Sequence, residues 1–402
     1  MNRIDTILQK MSSISTPQRK FLVTLLTTIQ LLRGKMTFRN LSRYRDLHEQ
    51  TYSRYFRQFF DWTDVNQGAL TTLLPAKTTK IAAIDCTVTS QSGKRTYGLD
   101  LFSDASHNTP KRCLEFSEIA VVDVDSGTAY HLSMEQTPST ASLSRMFGQE
   151  GTRIAWYGWH LRQARARLPP EVQYLAADGA YAKQKFVDGV CGFALHLVSK
   201  LRHDANLRYL YAGPHPKRRG ARKKYDGNVN LTDLRRLTPI PRSEALTLYP
   251  AVVNSVSLRR DIRLVYVCTR HGTKVLTALL FSTDIALGAE DIYRFYTSRV
   301  QIEFLFRDAK QFTGLADVHV RSQRRIAFHV NASLTALNFL KREDRMTAQD
   351  ETSHVISISS WKTRKFNEHQ LERIISTLGL DLSSIKLHPH YENLINYGAI
   401  AA

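Results

Sequence analysis

The chain has 402 residues, 56 of them Lys or Arg against 36 Asp or Glu, giving a formal charge of +20 and a pI near 9.9. This length supports two or three domains with a substantial core, and 43% hydrophobic content excludes a disordered polymer. The charge excess favours a polyanionic partner, most simply nucleic acid, through phosphate neutralisation and counterion release. Cys86, Cys113, Cys191 and Cys268 lie far apart with no CxxC pair, which excludes zinc-finger spacing and suits buried thiols in a reducing compartment. No apolar run reaches the roughly 18 residues that span a membrane, and no signal-like leader opens the sequence, so the cytoplasm is the default.

Residues 1–75 read as a helical, basic domain, with 11 Lys/Arg against 5 Asp/Glu. A helix is predicted over Arg19–Leu32 and stopped by Gly34. Thr37–Tyr44, a break at Arg45–His48, and Glu49–Phe60 have the spacing of a helix-turn-helix whose second helix offers Arg54 and Arg57 to DNA. A helical packing or dimerisation module would carry the same pattern. From Pro75 the texture changes, and 76–199 reads as the first part of an α/β core. Strands are expected at Lys80–Asp85, Tyr97–Phe102, Glu115–Val124 and Thr128–Met134. A helix at Ala155–Leu168 holds Trp156 and Trp159, read as packing residues. A strand at Val172–Ala177, a short helix at Ala182–Val187 and a strand at Phe193–Val198 follow.

Residues 200–285 read as a basic loop plus a β-rich insertion. Lys200–Lys224 carries nine Lys/Arg and one acid. Within it, Lys217, Arg218, Arg219, Arg222, Lys223 and Lys224 suit phosphate-backbone contact, or a solvated loop. Residues 286–342 return to the core, with Arg321, Arg324 and Arg325 opening a helix to Leu340. Residues 343–402 carry no clear signal and are assigned to a C-terminal region suited to dimerisation. Asp123, Asp125 and Asp188 read as surface acids, and His319 and His329 as structural.

Two acids close apolar strands: Asp85 after Ile81–Ile84, and Asp178 after Tyr174–Ala177. A carboxylate in such a place is costly unless hydrogen-bonded or metal-bound, although a turn or a helix cap would also accept it. The stretch from Glu290 to Phe312 lacks proline and glycine, so one uninterrupted helix is predicted. On that helix Tyr296, Arg299, Glu303 and Lys310 are offset by 3, 7 and 14 residues. At about 100° per residue they share an arc of roughly 60°. With Asp85 and Asp178, Glu303 completes a hard-oxygen set suited to Mg²⁺ or Mn²⁺.

Asp85, Asp178-Gly179-Ala180-Tyr181 and the Tyr296/Arg299/Glu303/Lys310 helix resemble the DDE transposases of cut-and-paste insertion sequences, the group with a Tyr-Arg-Glu-Lys signature. The resemblance spans roughly residues 78–340. It implies an RNase H-like α/β core with two divalent ions (Mg²⁺ or Mn²⁺) on Asp85, Asp178 and Glu303, while Tyr296, Arg299 and Lys310 hold terminal phosphates. It also implies double-stranded DNA as substrate, a homodimer on two ends, and a prokaryotic, nucleoid-associated enzyme. Relatives that excise through a hairpin are similar in using an inserted-domain tryptophan. No tryptophan lies between Asp178 and Glu303 here, leaving Tyr249, Tyr266 or Phe281 as stacking platforms.

Overall fold

The structure, a computed structural model, describes residues 3–11, 13–93, 95–104, 109–214, 222–347 and 357–399. The chain opens with helices α1 (Arg3–Gln9), α2 (Thr16–Leu31), α3 (Phe38–Ser42), α4 (Glu49–Tyr55) and α5 (Trp62–Leu73). Strands β1 (Lys80–Ser90), β2 (Asp100–Asp104), β3 (Thr109–Asp123) and β4 (Thr128–Gln136) follow. Then come α6 (Thr140–Phe147), α7 (Arg153–Ala164), β5 (Tyr174–Ala177), α8 (Gln184–Gly192) and β6 (His196–Leu201). A β-rich stretch holds β7 (Leu207–Leu210), β8 (Tyr225–Asn228), β9 (Ile240–Pro241), β10 (Leu246–Ser255), β11 (Arg260–His271) and β12 (Lys274–Ser282). The chain ends in α9 (Ala289–Ser298), α10 (Val300–Asp308), a π-helical turn (Ala309–Thr313), α11 (Gln323–Thr347), α12 (Ile358–Thr377), α13 (Leu382–Lys386) and α14 (Tyr391–Ile395). The mixed sheet with helices packed on it is the RNase H-like α/β class read from the sequence. Among the described residues no helix is long and apolar enough to cross a membrane.

Contacts divide the chain into two units. One comprises Met1–Thr78, Cys86–Ser139 and Glu303–Ala402; the other comprises Thr79–Asp85 and Thr140–Ile302. The amino-terminal helices therefore do not stand alone but share a unit with β2–β4 and the C-terminal helices. There α2 starts at a capping box, Ser15 with Gln18, and carries Pro17 in its first turn. Phe21, Leu22, Leu25, Leu26 and Ile29 line its buried face, which packs on α11 and α12. Helix α4 ends at Tyr55, short of the expected Phe60, and leaves Arg57 in a turn.

The β3–β4 hairpin carries polar groups the sequence reading placed elsewhere. Asp123 is fully buried, not a surface acid: its Oδ1 accepts from the backbone N–H groups of Asp125 and Ser126 and so shapes the hairpin turn. Glu118 and His131, both fully buried, meet at 2.8 Å, and burial pushes the Glu118 carboxyl well above its usual range. Asn338 of α11 brackets the backbone of His131, accepting from its N–H at 2.9 Å and donating to its carbonyl at 2.7 Å.

In the other unit, Lys80 to Ile84 of β1 are buried throughout, as in a parallel strand covered on both faces. β1 pairs in parallel with β5, and β5 with β6. The β-rich stretch is built directly onto these strands: β12 runs antiparallel to β6, with Leu279 opposite Leu201, and β11, β10, β7 and β8 continue outward. Helices α7 and α8 pack together, with Trp156 stacked on Trp159 at 4.4 Å, which is the packing role expected. Of the cysteines only Cys113 is buried; Cys86, Cys191 and Cys268 are half-buried, and none is in a disulfide.

The helix expected over 290–312 is not continuous. At Arg299 the bonding tightens, with Arg299 N to Tyr296 O at 3.2 Å and Ile302 N to Arg299 O at 3.0 Å. After Asp308 the winding loosens into the π turn, which ends at Gly314 in the left-handed conformation, φ 81°. Lys310 thus lies in the π turn and not in a regular α-helix.

Lys362 of α12 donates to Ile29 O at 2.9 Å and to Phe312 O at 2.6 Å, and so fastens α2 and the π turn to α12. Burial, then the Arg33 charge, lowers its pKa from 10.5 to about 7. A depressed amine contributes stability above its unfolded value and loses it as pH falls through the folded value. Wild-type stability should therefore gain on the order of 4 kcal/mol from this group between pH 7 and 10.5. Urea melts of Lys362→Met should lack that rise; an identical pH profile in both proteins would refute the assignment.

Candidate active site

The β1–β5 register is Ala82 with Leu175, Ala83 with Ala176 and Ile84 with Ala177. The next residue on each chain is an acid, Asp85 and Asp178. Neighbouring strands lie about 4.8 Å apart, and aligned residues of a parallel pair project to the same face. Asp85 is not a strand end, as expected, because β1 continues to Ser90; what ends beyond Ile84 is the pairing with β5. Asp178 does close its strand. Its carbonyl accepts from Ser199 Oγ and from Tyr181 N, both at 3.0 Å, and it leads into a single 3₁₀ turn. Gly179 lets the turn pack closely, since a Cβ there would sit 3.0 Å from the Lys200 carbonyl oxygen and press on it. Tyr181 is buried against Tyr157 and Phe186 and pins the turn.

Helix α9 buries Ala289, Ile292 and Phe295 and packs on β5, β6 and β10–β12, with the Phe295 ring 5.1 Å from Tyr174. This seating brings Tyr296 and Arg299 to the two acids. Arg299 Nη1 donates to Asp85 Oδ2 at 2.7 Å, with side chains only 14% and 21% exposed. The Tyr296 phenol is raised above its ordinary pKa by burial and by the Asp178 and Asp85 carboxylates, while Arg299 opposes the shift by its charge and a hydrogen bond. Four of the predicted residues, Asp85, Asp178, Tyr296 and Arg299, thus form one cluster. The sequence reading gave Arg299 to DNA alone; the ion pair with Asp85 is an addition that only tertiary structure reveals. A cavity of about 550 Å³ opens beside Asp178 and Gly179, lined also by Lys200, Arg202 and His203.

Glu303 is exposed in the first turn of α10, and Lys310 is half-buried in the π turn; both are counted with the other unit. Among the described residues no three His, Cys, Asp or Glu side chains form a metal cage. Asp85 and Asp178 nevertheless supply the hard oxygens that Mg²⁺ or Mn²⁺ prefers, on one sheet face, so the donor chemistry fits such an ion.

The remaining DNA candidates are dispersed. Lys217, Arg218 and Arg219 lie outside the described residues. Arg222, Lys223 and Lys224 are exposed, and Lys223 is held by Asp226 at 2.9 Å and over the Tyr211 ring at 4.5 Å. Arg54 is exposed beside Tyr55, whose ring stacks on Phe21. Arg57 is exposed, and its carbonyl accepts from Arg324 at 3.4 Å. Arg325 donates to Ser53 Oγ at 2.9 Å, so the start of α11 is spent partly on α4 rather than on a ligand. Phe281 is fully buried and Tyr266 nearly so, which removes both as stacking platforms; Tyr249 remains half-buried. His329 is structural as expected, 2.9 Å from the Gly314 carbonyl and lowered by burial to about 3.

The sequence matches the family model of DDE superfamily endonucleases over residues 11–238 and that of the transposase DDE domain over residues 152–339. The chain belongs to the DDE endonuclease superfamily. The first span holds Asp85 and Asp178, and the second holds Asp178, Tyr296, Arg299, Glu303 and Lys310. DDE-superfamily enzymes work with divalent metal ions, in keeping with the donor type found here. No curated protein matches the chain significantly. Among solved structures the chain is similar to Ciona intestinalis endonuclease V, in complex with a 24mer DNA containing an inosine followed by a ribo-adenosine. That match has 11% identity, covers 69% of this chain and 97% of the other, and has a TM-score of 0.25.

A cation seated on Asp85 would compete with Arg299 for the same Oδ2 oxygen. Arg299→Ala should leave Mg²⁺ binding, measured by calorimetry, unchanged or tighter. Its complex with end-bearing duplex should weaken about 10- to 100-fold, the worth of one charge-assisted phosphate contact. Lost Mg²⁺ binding with undiminished gel-shifted complex would contradict this placement.

Proposed function

We propose that this DDE enzyme is a cut-and-paste transposase that cleaves DNA at insertion-sequence ends and joins the freed 3′-hydroxyls to target DNA. The observation that carries this reading is the cluster of Asp85 and Asp178 with Arg299 and Tyr296, which unites paired carboxylates with phosphate-gripping groups. Asp85 and Asp178 hold the divalent ions, and Glu303 is assigned as third carboxylate from its place in the Tyr-Arg-Glu-Lys spacing. Bound in pairs, Mg²⁺ or Mn²⁺ ions activate the attacking oxygen and stabilise the leaving oxygen of a phosphodiester.

The groups of the chain itself divide the remaining work. Arg299 grips a terminal phosphate in a planar fork, and Lys310 adds a point charge. Tyr296, kept as a phenol by its raised pKa, donates a hydrogen bond without adding charge. Hydrolysis breaks the P–O3′ bond at the end of the element, leaving a 3′-hydroxyl and a 5′-phosphate. In joining, that 3′-oxygen forms a bond to a target phosphorus as the target's own 3′-oxygen leaves, so phosphodiester bonds are conserved and no energy cofactor is needed. Two copies of the chain, each holding one end, act as a homodimer.

Purified full-length protein with end-bearing duplex and Mg²⁺ should nick the DNA and join it to a second duplex, and chelation should stop both reactions. Asp85→Asn, Asp178→Asn and Glu303→Gln should each lower nicking by about 10³-fold or more, the loss expected when charge stabilisation at the reacting phosphate is removed. Full nicking by Glu303→Gln would sink the triad. Cleavage without joining would assign the chain to stand-alone nucleases, and metal-independent binding without cleavage would make it a regulator.

A further inference from the structure

Far from the candidate active site in sequence, the unit holding the amino-terminal helices contains a second polar cavity, of about 350 Å³. The loop between α3 and α4 contributes Arg43, Arg45 and Asp46, and α12 contributes His369, Glu372 and Arg373. Nothing in the sequence gave this part of α12 a role.

Three guanidinium groups face two carboxylates, and the balance is more cationic than the count. Glu372 is committed to Lys386 Nζ at 2.6 Å; Asp46, Arg43 and Arg373 are exposed, and Arg45 is half-buried. His369 reports the local field. Burial, Arg45 and Arg373 push its pKa below the ordinary range, with Glu372 opposing. Its Nε2 is buried without a hydrogen-bond partner in the protein. Three arginine side chains lining one cavity beside this ring make a place for an anion that accepts hydrogen bonds.

We infer that this cavity takes a phosphate group of the DNA backbone, held by Arg43, Arg45 and Arg373 with His369 as an additional donor. The inference rests on the reading of this chain as a DNA-acting enzyme and adds to it a contact distinct from the cleavage site. Arginine forks match phosphate oxygens in pairs, and such contacts fix orientation rather than read sequence. The loop leads directly into α4, whose Arg54 is exposed, as is Arg57 in the turn that follows it. A phosphate locked at 43–45 would therefore set the register of that helix on a duplex.

The test uses the full chain and a fluorescein-labelled duplex lacking element ends, followed by anisotropy across salt concentrations. Arg45→Gln/Arg373→Gln should bind about 10-fold more weakly at low salt and lower the slope of log K against log[salt] by about 1. An unchanged slope and affinity overturn the proposal. A second readout needs no variant: in protein with labelled histidine, saturating duplex should raise the His369 pKa, since a phosphate offsets Arg45 and Arg373. A His369 titration untouched by duplex overturns it as well, and a shift produced by poly-glutamate but not by duplex reassigns the cavity to an acidic protein segment. Nicking is measured separately. A lowered slope in a protein that never nicks leaves this site standing and removes the proposed reaction; normal nicking with an unaltered slope does the reverse.

Discussion

The in-register parallel pairing of β1 with β5 is the constraint on which the site depends. Three aligned pairs of apolar residues stop where two carboxylates begin, so the sheet itself sets Asp85 beside Asp178. Two negative charges about 5 Å apart repel by roughly 3 kcal/mol at an effective dielectric near 20. A chain that tolerates this opposes it with positive charge. Arg299 supplies part of that charge through its ion pair with Asp85, and in the proposed reaction a cation and the substrate would supply the rest.

The tight turn at Arg299 falls at the residue that pairs with Asp85. Helix α9 is seated by Ile292 and Phe295, and Arg299, which caps its C-terminus, carries a guanidinium to Asp85. The main chain there bonds to the third residue back instead of the fourth, and the helix restarts as α10. A continuous helix would have kept the regular arc that its sequence suggests.

Much of this was legible in the sequence. Apolar runs bounded by glycine, proline or acids located β1, β3–β6 and β10–β12, because buried strands and helix faces impose their own periods. What stayed hidden depends on tertiary contact. No residue type between 290 and 312 announces the break at Arg299 or the π turn. Asp123 reads as a surface acid until the hairpin turn buries it, and nothing in the sequence pairs Glu118 with His131. Asp85 reads as the end of a strand, yet β1 runs on beyond it and only the pairing with β5 stops there. The second cavity combines a loop near residue 45 with a helix near residue 370, a juxtaposition no linear pattern contains.

The account stands on Asp85 and Asp178 sharing a divalent ion, and a double-mutant cycle of Mn²⁺ affinity tests it most directly. Asp85→Asn and Asp178→Asn should each remove most Mn²⁺ binding in calorimetry, and the double variant should be scarcely worse than either single one, the non-additivity expected of groups acting as a unit. Losses that simply add, or a single variant that binds Mn²⁺ like the wild type, would contradict a shared site.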